Sequence, residues 1–267
     1  MKKIGLLMAL IVFSSYNFGQ KNKKVAFTQA NNYFVSNTVS EGMLVFPKIT
    51  SEKEFNKLFG KAPIMGKKGQ PTPIDFSKQY VIAVIDELSY THEGFNPVSL
   101  TKNADKITLT FSKKDVSEGS AQFRRYIILI VDKKNEGEVE FQDQNGTTYL
   151  PYTIGNRYFV KNTIENKEQL LNPITTEEEF EKYFGMATVM GEDGQPTPID
   201  FNKQFVIAHI NESSNDPVNY SFKLTSKDGI STLTYNKNGG SPGDSYRYCA
   251  ILIVDKKYGE KVTVVKK

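Results

Sequence analysis

The feature that most constrains this chain is an internal duplication, in which one long segment occurs twice, 125 positions apart. The best-matched stretch, residues 69–83, is identical to residues 194–208 at 13 of 15 positions. A unit of about 120 residues is too long for a solenoid repeat, and it is long enough to bury a core of its own. The sequence therefore predicts two homologous domains, at residues 22–143 and 148–267.

The first 19 residues have the pattern of a secretory signal peptide. Lys2 and Lys3 precede a short apolar run, which ends in small and polar residues before Gln20. The run is much shorter than the roughly 20 apolar residues that span a bilayer, and no second run of that kind follows. We therefore expect residues 1–19 to be removed. The mature protein is expected to be secreted or periplasmic, without a transmembrane anchor.

The charge balance does not indicate a nucleic-acid partner. Without the two lysines of the signal segment, the 34 basic residues fall to 32, against 30 acidic residues. A nearly balanced chain lacks the basic surface by which proteins bind nucleic acid.

The residues that could carry catalysis or hold metals do not recur as sets: the aspartates at 75 and 200 and at 132 and 255 recur, but each lacks a nearby recurring acid or base to pair with. The two histidines, His92 and His209, occupy non-equivalent positions, so a duplicated His-based metal site is not expected. Cys249 is the only cysteine, and its apolar surroundings favour an inert thiol over a nucleophile. The chain has no motif for a nucleophilic serine, a zinc-binding helix or a phosphate-cradling loop. We predict a protein that is not an enzyme and uses no metal or cofactor.

One short helix is predicted near the start of each repeat. Ser51 and Glu54 form a Ser/Thr-x-x-Glu capping box, in which side chains satisfy the free amides of the first helical turn. Apolar residues then follow at helical spacing, and Gly60 stands at the position of a helix stop. The second repeat has the same features at Thr176, Glu179 and Gly185.

The rest of each repeat has the patterns of β-strands. Residues 80–85 and 205–210 are continuous apolar runs, as expected of strands buried on both faces. Residues 25–35 have aromatic and β-branched residues on both sides of Asn31-Asn32, which predicts a hairpin. The sequence thus predicts an α+β fold, with two homologous domains. Each domain is expected to be an antiparallel sheet of about five to six strands with one short packed helix.

The longest identical segment, Gly-Gln-Pro-Thr-Pro-Ile-Asp-Phe, occurs at residues 69–76 and 194–201. Each proline fixes its own φ and pushes the preceding residue toward an extended conformation. Asp75 can cap the turn that follows, and Phe76 can anchor that turn to the core. The segment is therefore predicted to be a stiff connector between helix and central strand rather than a binding motif.

A more suggestive segment lies just before the connector. We predict candidate binding loops whose residues are Ile64, Met65 and Gly66 in the first repeat and Val189, Met190 and Gly191 in the second. Methionine suits such a surface because its side chain is flexible and polarizable. The competing interpretation is that each methionine is buried beneath its own loop. The next residues, Lys67-Lys68 and Glu192-Asp193, have opposite charges, and we hypothesise that they face each other between the domains.

The residues around the helix and connector resemble the start of the PrcB C-terminal family. The resemblance rests on residues 49–55 and 73–84, with the second copy at 174–180 and 198–209. The resemblance implies small exported α+β domains. It also implies a link to proteases, because the founding member of that family is an accessory subunit of a secreted bacterial protease complex. The chain departs from the family pattern where a Gly-Gly-Tyr segment is expected. It is also similar to tandem exported proteins of Bacteroidetes-type bacteria.

These observations lead to a functional expectation. The chain is expected to be an exported, non-enzymatic binding protein with two related domains. Its partner is expected to be another exported protein, with a protease accessory or inhibitor-like role as the specific version. The alternative is a glycan-binding module of the cell envelope, for which Tyr33, Tyr158, Tyr90 and Tyr246 would form the sugar platform.

Overall fold

The computed structural model describes residues 22–66, 69–91, 94–114, 119–191, 194–214, 218–239 and 247–267. Over these residues the protein is mainly β-sheet, with two short α-helices. Neither helix has the length and apolar character that crossing a membrane requires. The predicted signal peptide, His92, Tyr246 and the charged pairs at 67–68 and 192–193 lie outside the described residues.

Each repeat contributes ten strands and one helix to the described residues, in the same order. The elements of the first repeat are β1 (Lys23–Lys24), β2 (Phe27–Gln29), β3 (Tyr33–Val35), β4 (Leu44–Ile49), α1 (Glu52–Leu58), β5 (Phe59–Lys61), β6 (Gln79–Ser89), β7 (Phe95–Asn103), β8 (Lys106–Lys113), β9 (Phe123–Asp132) and β10 (Glu138–Asp143). Those of the second are β11 (Thr148–Tyr149), β12 (Thr153–Ile154), β13 (Tyr158–Val160), β14 (Gln169–Ile174), α2 (Glu177–Tyr183), β15 (Phe184–Met186), β16 (Gln204–Ile210), β17 (Val218–Lys227), β18 (Ile230–Gly239), β19 (Cys249–Asp255) and β20 (Val262–Lys266).

The pairing of the strands is repeated as well. β2, β9, β6 and β4 form a four-stranded antiparallel sheet, and β12, β19, β16 and β14 form its counterpart. Two-stranded ribbons join β3 to β5 and β13 to β15. The other eight strands form one sheet shared by both repeats, in the order β1-β7-β8-β10-β11-β17-β18-β20. We call this the long sheet.

This arrangement corrects the expectation of one antiparallel sheet of five to six strands in each repeat. The strands of a repeat are divided among three sheets, and β8–β10 and β18–β20 are parallel pairs. The parallel pairs arise because β9 and β10 lie in different sheets. A short 3-10 turn, Lys133–Asn135, carries the chain from the four-stranded sheet to the long sheet, where β10 runs alongside β8.

The hairpin predicted in residues 25–35 is also wrong. β2 pairs with β9, whereas β3 pairs with β5, so the two strands belong to different sheets. Asn32 has a φ of 64° and turns the chain between these sheets. Asparagine accepts this left-handed conformation more readily than most residues do. The local sequence marked the turn correctly but not the partners of its flanking strands.

The four-stranded sheet of each repeat is buried on both faces. In the first repeat, Tyr80 and Ile82 on one face pack with Leu109 of the long sheet. On the other face, Val81 packs with Phe55 of α1. The second repeat has the same two core layers. The continuous apolar runs at 80–85 and 205–210 are thus confirmed as doubly buried strands.

The helices begin as predicted, but they end for another reason. The Ser51 side chain accepts a hydrogen bond from the Glu54 amide at 3.2 Å, and Thr176 caps α2 in the same way. Gly60 does not stop α1, because the chain is already extended at Phe59 and continues into β5. A Cβ at Gly60 would lie only 2.2 Å from the ring of Phe34. The glycine is needed for this contact between ring and backbone.

The core layers between the four-stranded sheets and the long sheet lie on opposite faces of the long sheet in the two repeats. The chain at β11 shows this, because Tyr149, the last residue of β11, belongs to the core of the first repeat and the next residue, Leu150, belongs to the core of the second. Successive residues of a strand point to opposite faces. The four-stranded sheet and helix of the first repeat therefore lie on one face, and those of the second repeat lie on the other.

Contacts other than the pairing of β10 with β11 also join the repeats. The amide of Met43 donates to the Phe222 carbonyl at 2.8 Å, and the Tyr152 hydroxyl donates to the same carbonyl at 2.9 Å. Gly42 has a φ of 121°, and a Cβ there would lie 2.4 Å from this carbonyl. Lys257 pairs with Glu138 across the boundary at 2.7 Å. The repeats are thus in direct contact.

Candidate functional site

The candidate binding residues lie at the tips of closed loops, residues 64–69 and 189–194, which we call the tip loops. Each tip loop follows the ribbon strand β5 or β15. In the first loop, the Ile64 amide donates to the Gly69 carbonyl at 2.8 Å, and the Gly69 amide donates to the Gly66 carbonyl at 3.0 Å. These two backbone hydrogen bonds close the loop on itself.

Two glycines make this closure possible. Gly66 has a φ of 115°, a conformation that other residues rarely adopt. A Cβ at Gly69 would lie 1.6 Å from the Ile64 carbonyl oxygen, so no side chain fits there. The two backbone hydrogen bonds that close the loop therefore require glycine at both positions.

The second tip loop repeats these bonds. The Val189 amide donates to the Gly194 carbonyl at 2.9 Å, and the Gly194 amide donates to the Gly191 carbonyl at 3.0 Å. Gly191 has a φ of 120°, close to the value at its counterpart in the first loop. Both repeats thus present the same backbone at this place, although the apolar residue before the methionine differs.

The methionines at the tips are fully exposed. Met65 and Met190 have relative accessibilities of 102% and 101%, and neither is buried beneath its loop. Ile64 and Val189 are also exposed, at 63% and 51%. The interpretation that the methionines are buried is therefore wrong.

The segment that follows each tip loop is confirmed as a connector. The Thr72 side chain accepts a hydrogen bond from the Asn31 amide at 3.0 Å, and its carbonyl accepts one from the Tyr33 hydroxyl at 2.7 Å. Asp75 accepts a hydrogen bond from the Ser77 amide at 3.0 Å, and Phe76 packs against the core layer that contains Phe55 of α1. Thr197 and Asp200 make the equivalent contacts in the second repeat.

The turn carboxylates of the connectors have ordinary structural roles. The pKa of Asp75 is lowered, chiefly because its carboxylate accepts hydrogen bonds from Ser77. The pKa of Asp200 is lowered for the same reason, with the Asn202 amide as the main donor. Both side chains are exposed and engaged in their own turns. They act as turn caps, as the sequence predicted.

A second exposed apolar feature is repeated on the ribbons, and the sequence analysis did not identify it. Phe34 and Phe159 lie across Gly60 and Gly185 and are about half exposed. The signal was present, because the Tyr-Phe-Val triplet and the glycine recur in both repeats. It was missed because the glycine was assigned to the helix end.

An open cleft lies between α1 and the first connector. It has a volume of about 360 Å³ and is lined on one side by Gln70, Pro71 and Pro73. Glu52 and Lys61 place one charge of each sign at its wall. Because the first tip loop leads directly into Gln70, a partner bound at the tip could extend a side chain into this cleft.

Another cleft, of about 340 Å³, lies where the repeats meet. Its two carboxylates, Glu138 and Glu140, are both from the first repeat. Glu138 pairs with Lys257 at 2.7 Å, and Glu140 pairs with Lys106 at 2.9 Å. Each carboxylate therefore has a cation beside it, and the pairs serve to join strands and repeats.

Buried polar clusters lie at equivalent places in the two repeats, between the four-stranded sheet and the long sheet. In the first repeat, Asp86 is 1% exposed and pairs with Arg125 at 2.6 Å and with Lys113 at 2.5 Å. The Arg125 guanidinium also lies over the ring of Phe95 at 5.4 Å. This cluster contains three formal charges.

The second repeat has His209 and Asn211 where the first has Val84 and Asp86. Tyr220 stands in place of Phe95, and its hydroxyl lies 2.9 Å from His209 Nδ1 and 2.5 Å from Asn211 Oδ1. His209 Nε2 lies 2.9 Å from a carboxylate oxygen of Glu168. Burial lowers the pKa of His209, against the opposing effect of Glu168.

The remaining reactive groups are not assembled into a site. Burial raises the pKa of the Cys249 thiol to about 11, which disfavours the thiolate. Among the described residues, no three His, Cys, Asp or Glu side chains are grouped so that they could hold a metal ion.

Of the tyrosines proposed for glycan binding, Tyr33, Tyr158 and Tyr90 lie in the described part of the chain, and the first two pack against phenylalanines instead of forming an exposed platform. Tyr33 is buried against Phe55, with ring centroids 5.1 Å apart at an angle of 85°. Tyr158 makes the same contact with Phe180. Tyr90 is about half exposed. The exposed aromatic faces that do recur are those of the two ribbon phenylalanines.

The chain was also compared with known proteins. No protein family matches it, and no curated protein sequence or solved structure is detectably similar to it.

Proposed function

We propose that this chain is an exported, non-enzymatic binding protein that contacts another exported protein through its two tip loops. One observation carries the proposal: both repeats hold a fully exposed methionine on a loop closed by its own backbone. Exposed apolar side chains at fixed positions lose solvent on binding without a large ordering cost. Nothing in the fold itself requires a methionine at these tips.

The specific version of the proposal is a protease accessory or inhibitor-like protein. It takes its partner class from the resemblance to the PrcB C-terminal family. A rigid loop with an apolar tip is a shape that can enter a groove of an enzyme. In this version the 360 Å³ cleft beside Gln70 and Pro71 receives a side chain of the partner.

The placement of the tips favours two separate contacts. Each tip loop follows a ribbon of its own repeat, and the repeats stack on opposite faces of the long sheet. We therefore propose that each tip loop engages its own partner molecule or its own side of a larger assembly.

Export and domain organisation are part of the same proposal. We interpret residues 1–19 as a removed signal peptide and the two repeats as homologous α+β domains joined by the long sheet. Sequencing the N-terminus of the exported protein tests the first point, and a start near Gln20 is the expected result.

The proposal is tested with residues 20–267 as bait for proteins of the native culture supernatant and envelope. Mass spectrometry identifies the captured protein, and its affinity is then measured with purified components. The variant Met65→Asp with Met190→Asp is expected to reduce the affinity at least tenfold. Ile230→Asp is the matched control, because Ile230 is also an exposed apolar residue but lies on the long sheet.

Two outcomes would contradict the proposal. In one, the double methionine variant binds every captured protein as tightly as the unchanged chain does. In the other, only polysaccharide is recovered and its binding ignores the methionines. The second outcome would support the glycan-binding alternative, for which the half-exposed Phe34 and Phe159 provide repeated aromatic faces.

A further inference from the structure

The long sheet ends in two strands that each have one unpaired edge in the described part of the chain. These are β1 at the start of the first repeat and β20 at the end of the second. Their counterparts, β11 and β10, pair with each other at the junction between the repeats. The two free edges are therefore equivalent, by the repeat, to the two edges that pair at the junction inside the protein.

The register of an equivalent junction between two copies of the chain would follow from that of the internal junction. At the internal junction, Phe141 lies opposite Tyr149 and Gln142 opposite Thr148. The positions equivalent to Phe141 and Tyr149 are Val264 in β20 and Lys24 in β1. In the strand pairing within each repeat, the Leu150 amide donates to the Leu224 carbonyl, and the Val25 amide donates to the Leu100 carbonyl. β1 and β11 thus present the same edge outward.

The internal junction is stabilised by two buried residues. Tyr149 packs with the first core, and its ring centroid lies 5.3 Å from that of Phe111. The Tyr149 hydroxyl donates a hydrogen bond to the Asp143 carboxylate at 3.2 Å. Both residues are less than 10% exposed. A second copy of the chain, joined in the same way, would have to bury the equivalent pair.

At the free edges this pair is replaced by two lysines. Lys24 stands in place of Tyr149, and Lys266 stands in place of Asp143. Both are exposed. A second copy in the internal register would bring the two ammonium groups together where the junction holds a hydroxyl and a carboxylate. Like charges repel, and burying them removes their hydration, so both effects oppose the contact.

We propose that the free edges of the long sheet are complementary halves of a head-to-tail interface between copies, and that Lys24 and Lys266 keep this interface open. The partner surface is a second copy of this chain. Head-to-tail contacts of this kind propagate into open arrays. Lysine on an edge strand is a common means of preventing such growth. The two lysines thereby limit the array to the two repeats of one chain.

The test gives the outer edges the residues of the internal junction. Residues 20–267 with Lys24→Tyr and Lys266→Asp are compared with the unchanged sequence by sedimentation at increasing concentration. The unchanged protein is expected to stay monomeric, and the double variant to form oligomers whose size grows with concentration. Lys53→Tyr with Lys182→Asp makes the same change of charge on the helices and is expected to stay monomeric.

A cross-link tests the register of the contact. Lys23 and Val265 are equivalent to the paired Thr148 and Gln142. Cysteines at 23 and 265, added to the double variant with Cys249→Ala, are expected to give a ladder of disulfide-linked species. Cysteines at 23 and 263 are the out-of-register control. The proposal is overturned if the unchanged protein already assembles, if the double variant stays monomeric, or if its oligomers fail to cross-link at 23 and 265.

Discussion

The two repeats share every strand pairing made within a repeat, yet they fill the space where β6 and β16 meet the long sheet with different chemistry. The first repeat buries the carboxylate of Asp86 between two cations. The second has Asn211 in that place, with His209 and Tyr220 beside it. The comparison teaches that this place accepts either a buried ion pair or uncharged polar side chains, even though the Asn211 amide nitrogen has no hydrogen-bond partner among the described residues.

The difference also has an energetic meaning. Buried charges are costly to separate from their partners, whereas a neutral polar network loses less when one member changes. The first repeat is therefore expected to tolerate substitution at this place less well than the second. The predictions below test this difference and the features that both repeats share, beginning with the largest expected effect.

The largest effect is expected from Asp86→Asn, which gives the first repeat the residue of the second. The substitution leaves Arg125 and Lys113 without the carboxylate that they share. A loss of about 3–5 kcal/mol is expected, as for other buried ion pairs with one partner removed. Urea unfolding measures it. A loss below about 1 kcal/mol would show that the cluster is effectively solvated.

A double substitution sharpens this result. Asp86→Asn with Arg125→Tyr gives the first repeat both residues of the second, Asn211 and Tyr248. The combined loss is expected to be smaller than the sum of the single losses by more than about 1 kcal/mol, since contacting residues couple. Strict additivity would mean that the two residues do not act on each other.

The next effect concerns an arginine that both repeats retain. Arg124 donates to the Val39, Gly42 and Asp86 carbonyls at 3.0, 3.1 and 3.3 Å. Arg247 donates to the Ile164 and Asn211 carbonyls at 2.8 and 3.0 Å, and also to Glu165 and Lys167. Each guanidinium thus connects the loop that follows β3 or β13 to the four-stranded sheet of the same repeat.

Replacement of either arginine by alanine is expected to cost about 2–3 kcal/mol, the range for hydrogen bonds from a charged group. The loop at 36–42 or 161–167 should then be cleaved faster by a protease. Lysine keeps the charge but lacks the forked donors, so Arg124→Lys and Arg247→Lys are expected to restore little. Full recovery with lysine would assign the effect to charge alone.

The third effect concerns the ribbon glycines. Gly60→Ala and Gly185→Ala push a methyl group against the rings of Phe34 and Phe159, and each is expected to cost about 1–3 kcal/mol. Truncating the ring removes the clash. The loss caused by Gly60→Ala should therefore be much smaller in a Phe34→Ala background. Equal losses in both backgrounds would show that the ring is not the obstacle.

Much of the fold could be predicted from local sequence. The helix starts at Ser51 and Thr176 and the turn at Asp75 depend on contacts within four residues, so their signals are local. The sheet partners could not be predicted in this way. β10 and β11 are separated by a short turn, but their place in the long sheet depends on β8 and β17, which are distant in sequence.

The residues of the candidate site fall into the same two groups, those with a local sequence signal and those that depend on distant strands. The tip residues were identified because the methionine and glycines recur, but their exposure depends on how the loop closes. The buried clusters escaped prediction altogether. Asp86 and Arg125 are 39 positions apart and meet only because β6 pairs with β9. In the second repeat His209 and Glu168 meet through the pairing of β14 with β16.

The smallest effect is a pH dependence that arises from His209 in the second repeat. Burial is the main cause of the lowered pKa of His209; Lys237 and Lys266 add to it, and Glu168 opposes it. The Tyr220 and Tyr235 rings also pack against the imidazole, at 5.1 and 5.2 Å.

A histidine with a lowered pKa binds its proton less readily in the folded chain than in the unfolded one. Its contribution to stability is therefore fully present above its ordinary pKa of 6.5, and it is lost as the pH falls toward the folded value.

His209→Val, which installs the Val84 of the first repeat, is expected to remove this part of the pH dependence. The free energy of unfolding of both proteins is measured between about pH 5 and 8, a range that spans the ordinary histidine pKa. The difference between their curves should change below pH 6.5 and stay flat above it. A Tyr220→Phe variant separates the hydroxyl from the ring, because it removes the group that lies 2.9 Å from His209 Nδ1 and donates to Asn211 Oδ1. If the two curves stay parallel throughout, His209 is not linked to folding.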